Sequence, residues 1–171
     1  MDIKITTKRL ILRAFQEKDV FDVYAFSANP QVAEPAGWKP HQCIGDAKEI
    51  LDRILMSANE WAIEHKKDVK VIGSVSFSED LFIKGKQVVM LGYLLHEDYW
   101  NQGYMQEALQ ALLANIKKDY TIYAYHFPGN KASQCVLENL GFQQLAYLPQ
   151  SFQHYSGVYY DLYQYQYVLH R

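Results

Sequence analysis

Residues 92–109 read Gly92-Tyr93-Leu94-Leu95-His96-Glu97-Asp98-Tyr99-Trp100-Asn101-Gln102-Gly103-Tyr104-Met105-Gln106-Glu107-Ala108-Leu109. The stretch begins as a β-strand, passes through a short loop with one internal glycine, and opens directly into a helix. Met105, Ala108, Leu109, Leu112, Leu113 and Ile116 recur three and four residues apart and share one helical face. The first turn of a helix carries backbone N–H groups without intrahelical partners and a partial positive charge. Where glycine lets a ligand approach the backbone, such a strand–loop–helix can hold a diphosphate. The same turn also occurs for structural reasons alone. The pattern is neither G-x-G-x-x-G nor G-x-x-x-x-G-K-[ST], so spacing by itself leaves both readings open.

Working outward, three strand-like segments lie towards the N-terminus: Glu60 to His65, Val69 to Phe77, and Gln87 to Leu95, the last two separated by a polar turn at Lys84-Gly85-Lys86. Before them, Ala47, Ile50, Leu51, Ile54 and Leu55 form a helical stripe, with Asp46 and Glu49 in a near capping-box spacing. Asn29 to Gly45 holds Pro30, Pro35, Gly37 and Pro40 and is expected to be an irregular loop. Long loops in compact domains are frequently functional. Asp19 is expected to cap a short helix bearing Val20, Val23 and Tyr24, and Ile3 to Phe15 reads as one strand. On the C-terminal side, Thr121 to Phe127 is a strand and Asn130 to Leu140 a helix, capped by Asn130 and stopped by Gly141. Strands Phe142 to Gln150 and Val158 to Leu169 follow, around a turn at Ser156-Gly157. The order β-α-α-β-β-β-α-β-α-β-β predicts an α/β (α+β) domain on one mixed sheet of about seven strands and about four helices.

Composition narrows the function classes. A chain of 171 residues suits one domain with a sizeable core, and 49% hydrophobic with 21% charged residues is ordinary for a soluble globular protein. A net charge of −2 gives no sign of a sequence-independent nucleic-acid binder, which would need a broadly basic surface, and leaves room for a local basic patch. Cys43 and Cys135 are too few for a disulfide framework or a zinc site, so free thiols and no metal are expected. Met1-Asp2-Ile3-Lys4 lacks a signal-peptide pattern, and no apolar run reaches about 18 residues. The expectation is a cytoplasmic protein without a membrane partner.

The central segment resembles the acyl-CoA-binding core of GNAT superfamily N-acetyltransferases, whose pattern after a strand is Arg/Gln-x-x-Gly-x-Gly/Ala. Trp100, Asn101, Gln102, Gly103, Tyr104 and Met105 take those six places. The run Tyr99-Trp100-Asn101-Gln102-Gly103-Tyr104, followed by Glu107-Ala108-Leu109, is similar to the Rim-type branch of ribosomal-protein N-terminal acetyltransferases. Asn130-x-x-Ser133 with Glu138-Asn139-Leu140-Gly141-Phe142, the opening Thr7-Lys8-Arg9-Leu10-Ile11-Leu12-Arg13, and Gly37-Trp38-Lys39-Pro40 resemble the branch as well. Matching motifs and element order span about residues 3–169. Trp100 departs from the usual first Arg or Gln. Asn101 replaces a glycine but tolerates positive φ better than most residues.

The resemblance implies a single acetyltransferase domain over 1–171, with a mostly antiparallel twisted sheet and a splayed central parallel pair of strands. It implies acetyl-CoA as co-substrate and direct attack by a primary amine in a ternary complex. Asn101, Gln102, Gly103, Tyr104, Met105 and Asn130 would bind the cofactor, and the backbone of Leu94 and Leu95 would hold the pantetheine arm and polarise the thioester. Ser133 would donate to the leaving thiolate. His126 is the candidate base, with His154 and Glu34 further candidates. Trp38 and its loop read either as an acceptor-side lid or as a cover over the core. Tyr159, Asp161, Tyr163, Tyr165 and Tyr167 share a strand face that either lines an acceptor groove or packs across the sheet. The branch points to a protein or peptide N-terminus as acceptor. The alternatives are a small-molecule amine (aminoglycoside, polyamine or amino acid) and a non-catalytic acyl-CoA-binding domain. A monomer or homodimer fits either.

Overall fold

The computed structural model describes residues 4–57, 59–83 and 86–170. Eight strands run β1 Ile5–Thr6, β2 Leu10–Ala14, β3 Glu60–His65, β4 Lys70–Ile83, β5 Lys86–Leu95, β6 Tyr120–His126, β7 Gln143–Gln153 and β8 Tyr159–Leu169. Five helices run α1 Val20–Ser27, α2 Pro30–Ala33, α3 Ile44–Ser57, α4 Tyr104–Asn115 and α5 Lys131–Asn139. The strands form one mixed, open sheet in the order β1-β2-β3-β4-β5-β6-β8-β7. This α/β architecture agrees with the expected one, with an extra strand and an extra short helix. Cα packing groups the chain into two compact units: residues up to Ser76 with Tyr93–Asn115, and Phe77–Gly92 with residues from Ile116 onward.

In the first unit, β2 pairs antiparallel with β3, setting Leu12 opposite Ile63, and both side chains are buried. Phe15, Val23, Phe26, Ala47, Leu51 and Val71 form a core between strands and helices. The α4 stripe behaves as its spacing predicts, with Ala108, Leu109 and Leu112 buried.

Four local features differ from the expectation. The single strand expected from Ile3 to Phe15 is broken: the Thr7 N–H donates to the Leu10 carbonyl at 2.9 Å and the Leu10 N–H to Thr7 Oγ1 at 2.9 Å. That turn folds β1 back onto β2 with Ile5 opposite Leu12, while Ile3 lies outside the described residues, as does Lys84-Gly85 of the polar turn. Asp19 does not cap α1. Its carboxylate accepts from the Gln16 N–H and from both terminal nitrogens of Arg13, in a buried pair that Glu64 completes. The loop expected from Asn29 to Gly45 contains α2, where Asn29 Oδ1 accepts from the Gln31 N–H and Pro30 sits at the first helical position. Helix α3 starts at Ile44, so Asp46 lies inside its first turn and reaches back to the Gln42 and Cys43 N–H groups.

In the second unit, β5 and β6 are parallel, with Val88 opposite Thr121 and Met90 opposite Tyr123. That ladder ends at Met90 and Tyr123, whereas β6 goes on pairing antiparallel with β8 as far as His126 opposite Tyr163. Helix α5 ends as the sequence predicts: Gly141 has φ +86°, and the Phe142 N–H donates to the Leu137 carbonyl at 3.0 Å. The β7–β8 hairpin is irregular between Leu148 and Phe152, where Gln150 has φ +47° and its N–H donates to Asp161 at 2.8 Å. Much of the tyrosine strand packs across the sheet, while Tyr159 at its start is exposed. Tyr165 is buried, Tyr167 stacks on Phe142 at 5.1 Å, and Asp161 is taken by the β7 irregularity and by the Tyr147 hydroxyl.

Candidate active site

Strand β5 ends at Leu95, a single 3-10 turn covers Glu97–Tyr99, and α4 opens at Tyr104. Between them Asn101 and Gly103 both take left-handed conformations, with φ +58° and +74°. Asparagine accepts that geometry better than most side chains, so the loop keeps its shape without a glycine at 101. Gly103 precedes the first helical residue, and its carbonyl accepts from the Glu107 N–H at 3.0 Å. Among the described residues the N–H groups of Gly103, Tyr104 and Met105 meet no acceptor. They are the unsatisfied donors of a helix start, where the backbone potential is positive.

The loop is held from three sides. The Trp100 indole N–H donates to the Leu95 carbonyl at 2.7 Å, the Gln102 amide to the Asp98 carbonyl at 2.9 Å, and Arg9 Nη1 to the Gln102 carbonyl at 2.8 Å. Trp100, a departure from the sequence pattern, thus closes the loop onto the end of β5. Glu107 ties the N-terminal turn to the same place. Its carboxylate accepts from Thr7 Oγ1 at 2.6 Å, the Arg9 N–H at 2.8 Å and Arg9 Nε at 2.6 Å. The Arg9 guanidinium lies over the Tyr104 ring, 4.0 Å from its centroid.

A buried polar network sits behind the loop. His65, at the end of β3, is 6% exposed, with Nδ1 2.8 Å from Asp68 and Nε2 3.1 Å from the Tyr104 hydroxyl. An ionised carboxylate only accepts, so Nδ1 carries a proton and Asp68 fixes the ring. Tyr99 also donates to Asp68, at 2.7 Å. These bonds from Tyr99 and His65 hold Asp68 below the usual carboxylate range. Burial, reinforced by Asp68, pushes Tyr99 up to about 12. Beside this network lies a cleft of about 550 Å³ whose wall includes Lys8, Arg9, Lys66, Lys67, Gln102 and Tyr104. The sequence alone presents Lys66-Lys67-Asp68 as an ordinary solvated turn; in the fold the turn borders the loop. Leu95 is buried and Leu94 half-buried. The backbone of β5 at Leu94 is closely approached by Gly73, where an added Cβ would lie 3.0 Å from the Leu95 Cα and closer still to the Leu94 carbonyl oxygen.

In the second unit, His126 ends β6 and is 5% exposed. Its Nδ1 lies 2.9 Å from the Phe127 carbonyl oxygen, an acceptor, so Nδ1 carries the ring proton. Nε2 is buried and has no hydrogen-bond partner among the described residues. Tyr163 and Tyr165 flank the ring at 5.5 and 5.3 Å. Asn130 caps α5, its Oδ1 accepting from the Ser133 N–H at 3.0 Å, which places Ser133 in the first helical turn.

Residues 9–143 match the Acetyltransferase (GNAT) domain family. The chain belongs to the GNAT acetyltransferases. A relative described as the uncharacterized N-acetyltransferase YnaD of Bacillus subtilis is 28% identical over 146 residues, covering 82% of each chain. The [ribosomal protein uS5]-alanine N-acetyltransferase of Escherichia coli is 26% identical over 162 residues, 85% of this chain and 80% of that protein. A GNAT-family acetyltransferase structure from Bacillus anthracis superposes with a TM-score of 0.84 at 23% identity, covering 97% of this chain and 98% of the other. Ribosomal-protein-S5-alanine acetyltransferase from Vibrio fischeri gives 0.73 at 20% identity, covering 98% and 97%.

As a GNAT acetyltransferase the chain is an acyl-CoA-dependent N-acetyltransferase. Of the residues singled out from its sequence, Leu95 and Asn101–Met105 form one continuous structure around the start of α4. His126, Asn130 and Ser133 cluster in sequence and lie at the β6–α5 connection of the second unit. Glu34 is exposed in a 3-10 turn, whereas the Trp38 indole N–H is buried without a partner among the described residues. His154 is buried against Tyr155 at 4.0 Å and bonded to Ser156, which makes it part of the β7–β8 turn. Among the described residues His96, Glu97 and Asp98 alone bring three metal-type ligands together, next to the loop. His96 lies 3.2 Å from Glu97, an ordinary surface pair.

Proposed function

We propose that this acetyltransferase transfers the acetyl group of acetyl-CoA to the α-amine of a protein or peptide N-terminus, by direct attack in a ternary complex. The observation that carries the reading is the start of α4. There, unpartnered N–H groups at Gly103, Tyr104 and Met105 adjoin two left-handed residues and fit a diphosphate. Asn101 and Gln102 supply the rest of that turn, and Leu94 and Leu95 the backbone along which the pantetheine arm lies. The acceptor class is supported by the similarity over 85% of the chain to the Escherichia coli uS5-alanine enzyme.

The amine nitrogen attacks the acetyl carbonyl carbon, a C–N bond forms, and the C–S bond breaks. His126 Nε2 holds a lone pair free of competing donors and takes the proton the amine sheds. The Ser133 hydroxyl donates to the departing thiolate, while Asn130 fixes the helical turn that carries it. A free α-amine titrates near 7.7–8.0, so a substantial share is already neutral near pH 7.5. A single positioned base is therefore sufficient help.

Release of CoA thiol from acetyl-CoA, measured with an alanine-initiated peptide, spermidine and an aminoglycoside, tests the acceptor class. The peptide is expected to show the highest kcat/KM; turnover of the small amines alone overturns the assignment. His126→Gln is expected to lower kcat about 100-fold and to recover activity as pH rises and the amine deprotonates unaided. A loss below about threefold removes His126 from the mechanism.

A further inference from the structure

The cleft beside the α4 loop has more cationic than anionic side chains on its wall. Lys8, Arg9, Lys66 and Lys67 line it, against the carboxylates of Asp68 and Asp98. Asp68 is already taken by His65 and Tyr99. Arg9 is committed to Glu107, to the Gln102 carbonyl and to the Tyr104 ring. Lys66 reaches the Thr7 carbonyl with one of its three donors. Lys8 and Lys67 are exposed and make no hydrogen bond or ion pair among the described residues, beyond the pull of Lys67 on Asp68. Three lysines from two separate turns therefore converge on one cleft, in a chain whose net charge is −2.

Acetyl-CoA carries its charge in two places: the diphosphate, and a phosphomonoester on the ribose that is close to dianionic near pH 7. Gln102 and Tyr104 belong both to the loop and to the cleft wall, so a ligand with its diphosphate on the loop has the cleft as its immediate neighbour. At about 550 Å³ the cleft has room for a phosphorylated ribose. Lysine binds phosphate as a compact, mobile point charge and does not need a preset fork. We propose that Lys8, Lys66 and Lys67 form a subsite for the 3′-phosphate of the CoA donor. The subsite rests on the donor assignment made above and extends it to a second phosphate. It gives the enzyme a means of distinguishing CoA from dephosphorylated or shorter pantetheine carriers.

Calorimetric titration of the full chain with CoA and with 3′-dephospho-CoA tests this, using wild type and the double variant Lys8→Gln/Lys67→Gln. Wild type is expected to bind 3′-dephospho-CoA about tenfold more weakly than CoA, the combined effect of a few partly screened charge contacts. In the double variant the two ligands are expected to bind within about twofold of each other, at the weaker affinity. Lys66→Gln serves as a second variant and is expected to reduce the discrimination in part. Equal binding of both ligands by wild type overturns the subsite, as does undiminished discrimination in the double variant. If wild type binds neither ligand, the donor assignment itself fails, which is a different result from loss of discrimination alone.

Discussion

Consider the substitution Glu107→Gln. The wild-type carboxylate accepts from Thr7 Oγ1 and the Arg9 N–H through one oxygen and from Arg9 Nε through the other. The glutamine carbonyl oxygen can keep the first two bonds, but as neutral contacts. Its NH2 group then faces Arg9 Nε, donor against donor. A hydrogen bond to a charged group contributes about 1.5–3 kcal/mol, which the 35% exposure of the Arg9 side chain brings towards the lower end. With the weakening of the other two bonds, the expected loss is about 2–3 kcal/mol. For a chain of 171 residues that lowers Tm by about 5–10 °C.

The loss carries a pH signature. Burial alone would raise the Glu107 carboxyl, but the bonds from Thr7 and Arg9 outweigh it and hold the group below its ordinary value. A carboxylate whose pKa is lower folded than unfolded contributes stability that is fully present above the unfolded value, about 4.3. That contribution is lost as pH falls through the folded value. Thermal unfolding followed by circular dichroism is therefore expected to show the full gap between wild type and variant at pH 7, narrowing as pH drops below about 4.3. A gap under about 1 °C at pH 7, or one that stays constant into acid, would refute the reasoning.

Two further substitutions probe the same region. Gly73→Ala places a methyl group against the Leu94 carbonyl and the Leu95 Cα, backbone atoms that cannot swing aside, and is expected to cost about 1–3 kcal/mol. A Tm within 1 °C of wild type in a thermal melt would show that β5 yields at no cost. Trp100→Phe keeps the ring but removes the indole donor to the Leu95 carbonyl. Titration calorimetry is expected to show acetyl-CoA affinity falling about three- to tenfold, with unchanged affinity as the contrary outcome.

The centre of the fold was legible because it is local. The α4 stripe, the loop–helix junction at Gly103, and the Asn130 and Gly141 caps each lie within a few residues, where periodicity and cap chemistry act. The resemblance of residues 99–109 and 130–142 to one family then supplied the sheet. What the sequence did not show depends on distant partners. Glu107 meets Thr7 and Arg9 about a hundred positions away, and nothing in either segment marks the pairing. The hydroxyl of Thr7, closing a turn on Leu10, interrupts an alternation that otherwise reads as one strand. Asp19 looks like a cap because it precedes an apolar run, but Arg13 is a stronger partner than a helix N–H. Lys66 and Lys67 resemble any solvated turn until β3 delivers them beside the loop. For His126 the sequence offered only a histidine at a strand end. Which of its nitrogens is occupied is visible only in the geometry.

The indole of Trp100 makes the enzyme its own optical reporter. Of the three tryptophans, Trp61 is 6% exposed and shielded from a ligand arriving from solvent, Trp38 is half-buried in a separate loop, and Trp100 is 37% exposed and sits within the loop proposed to hold the donor. Its emission depends on the hydrogen bond and the solvent around that ring. Donor binding on the loop, as proposed, is therefore expected to change tryptophan fluorescence on unlabelled protein, with no acceptor amine present and no turnover. With that signal the same cuvette would time donor arrival before the chemistry starts and reveal the order in which the two substrates bind.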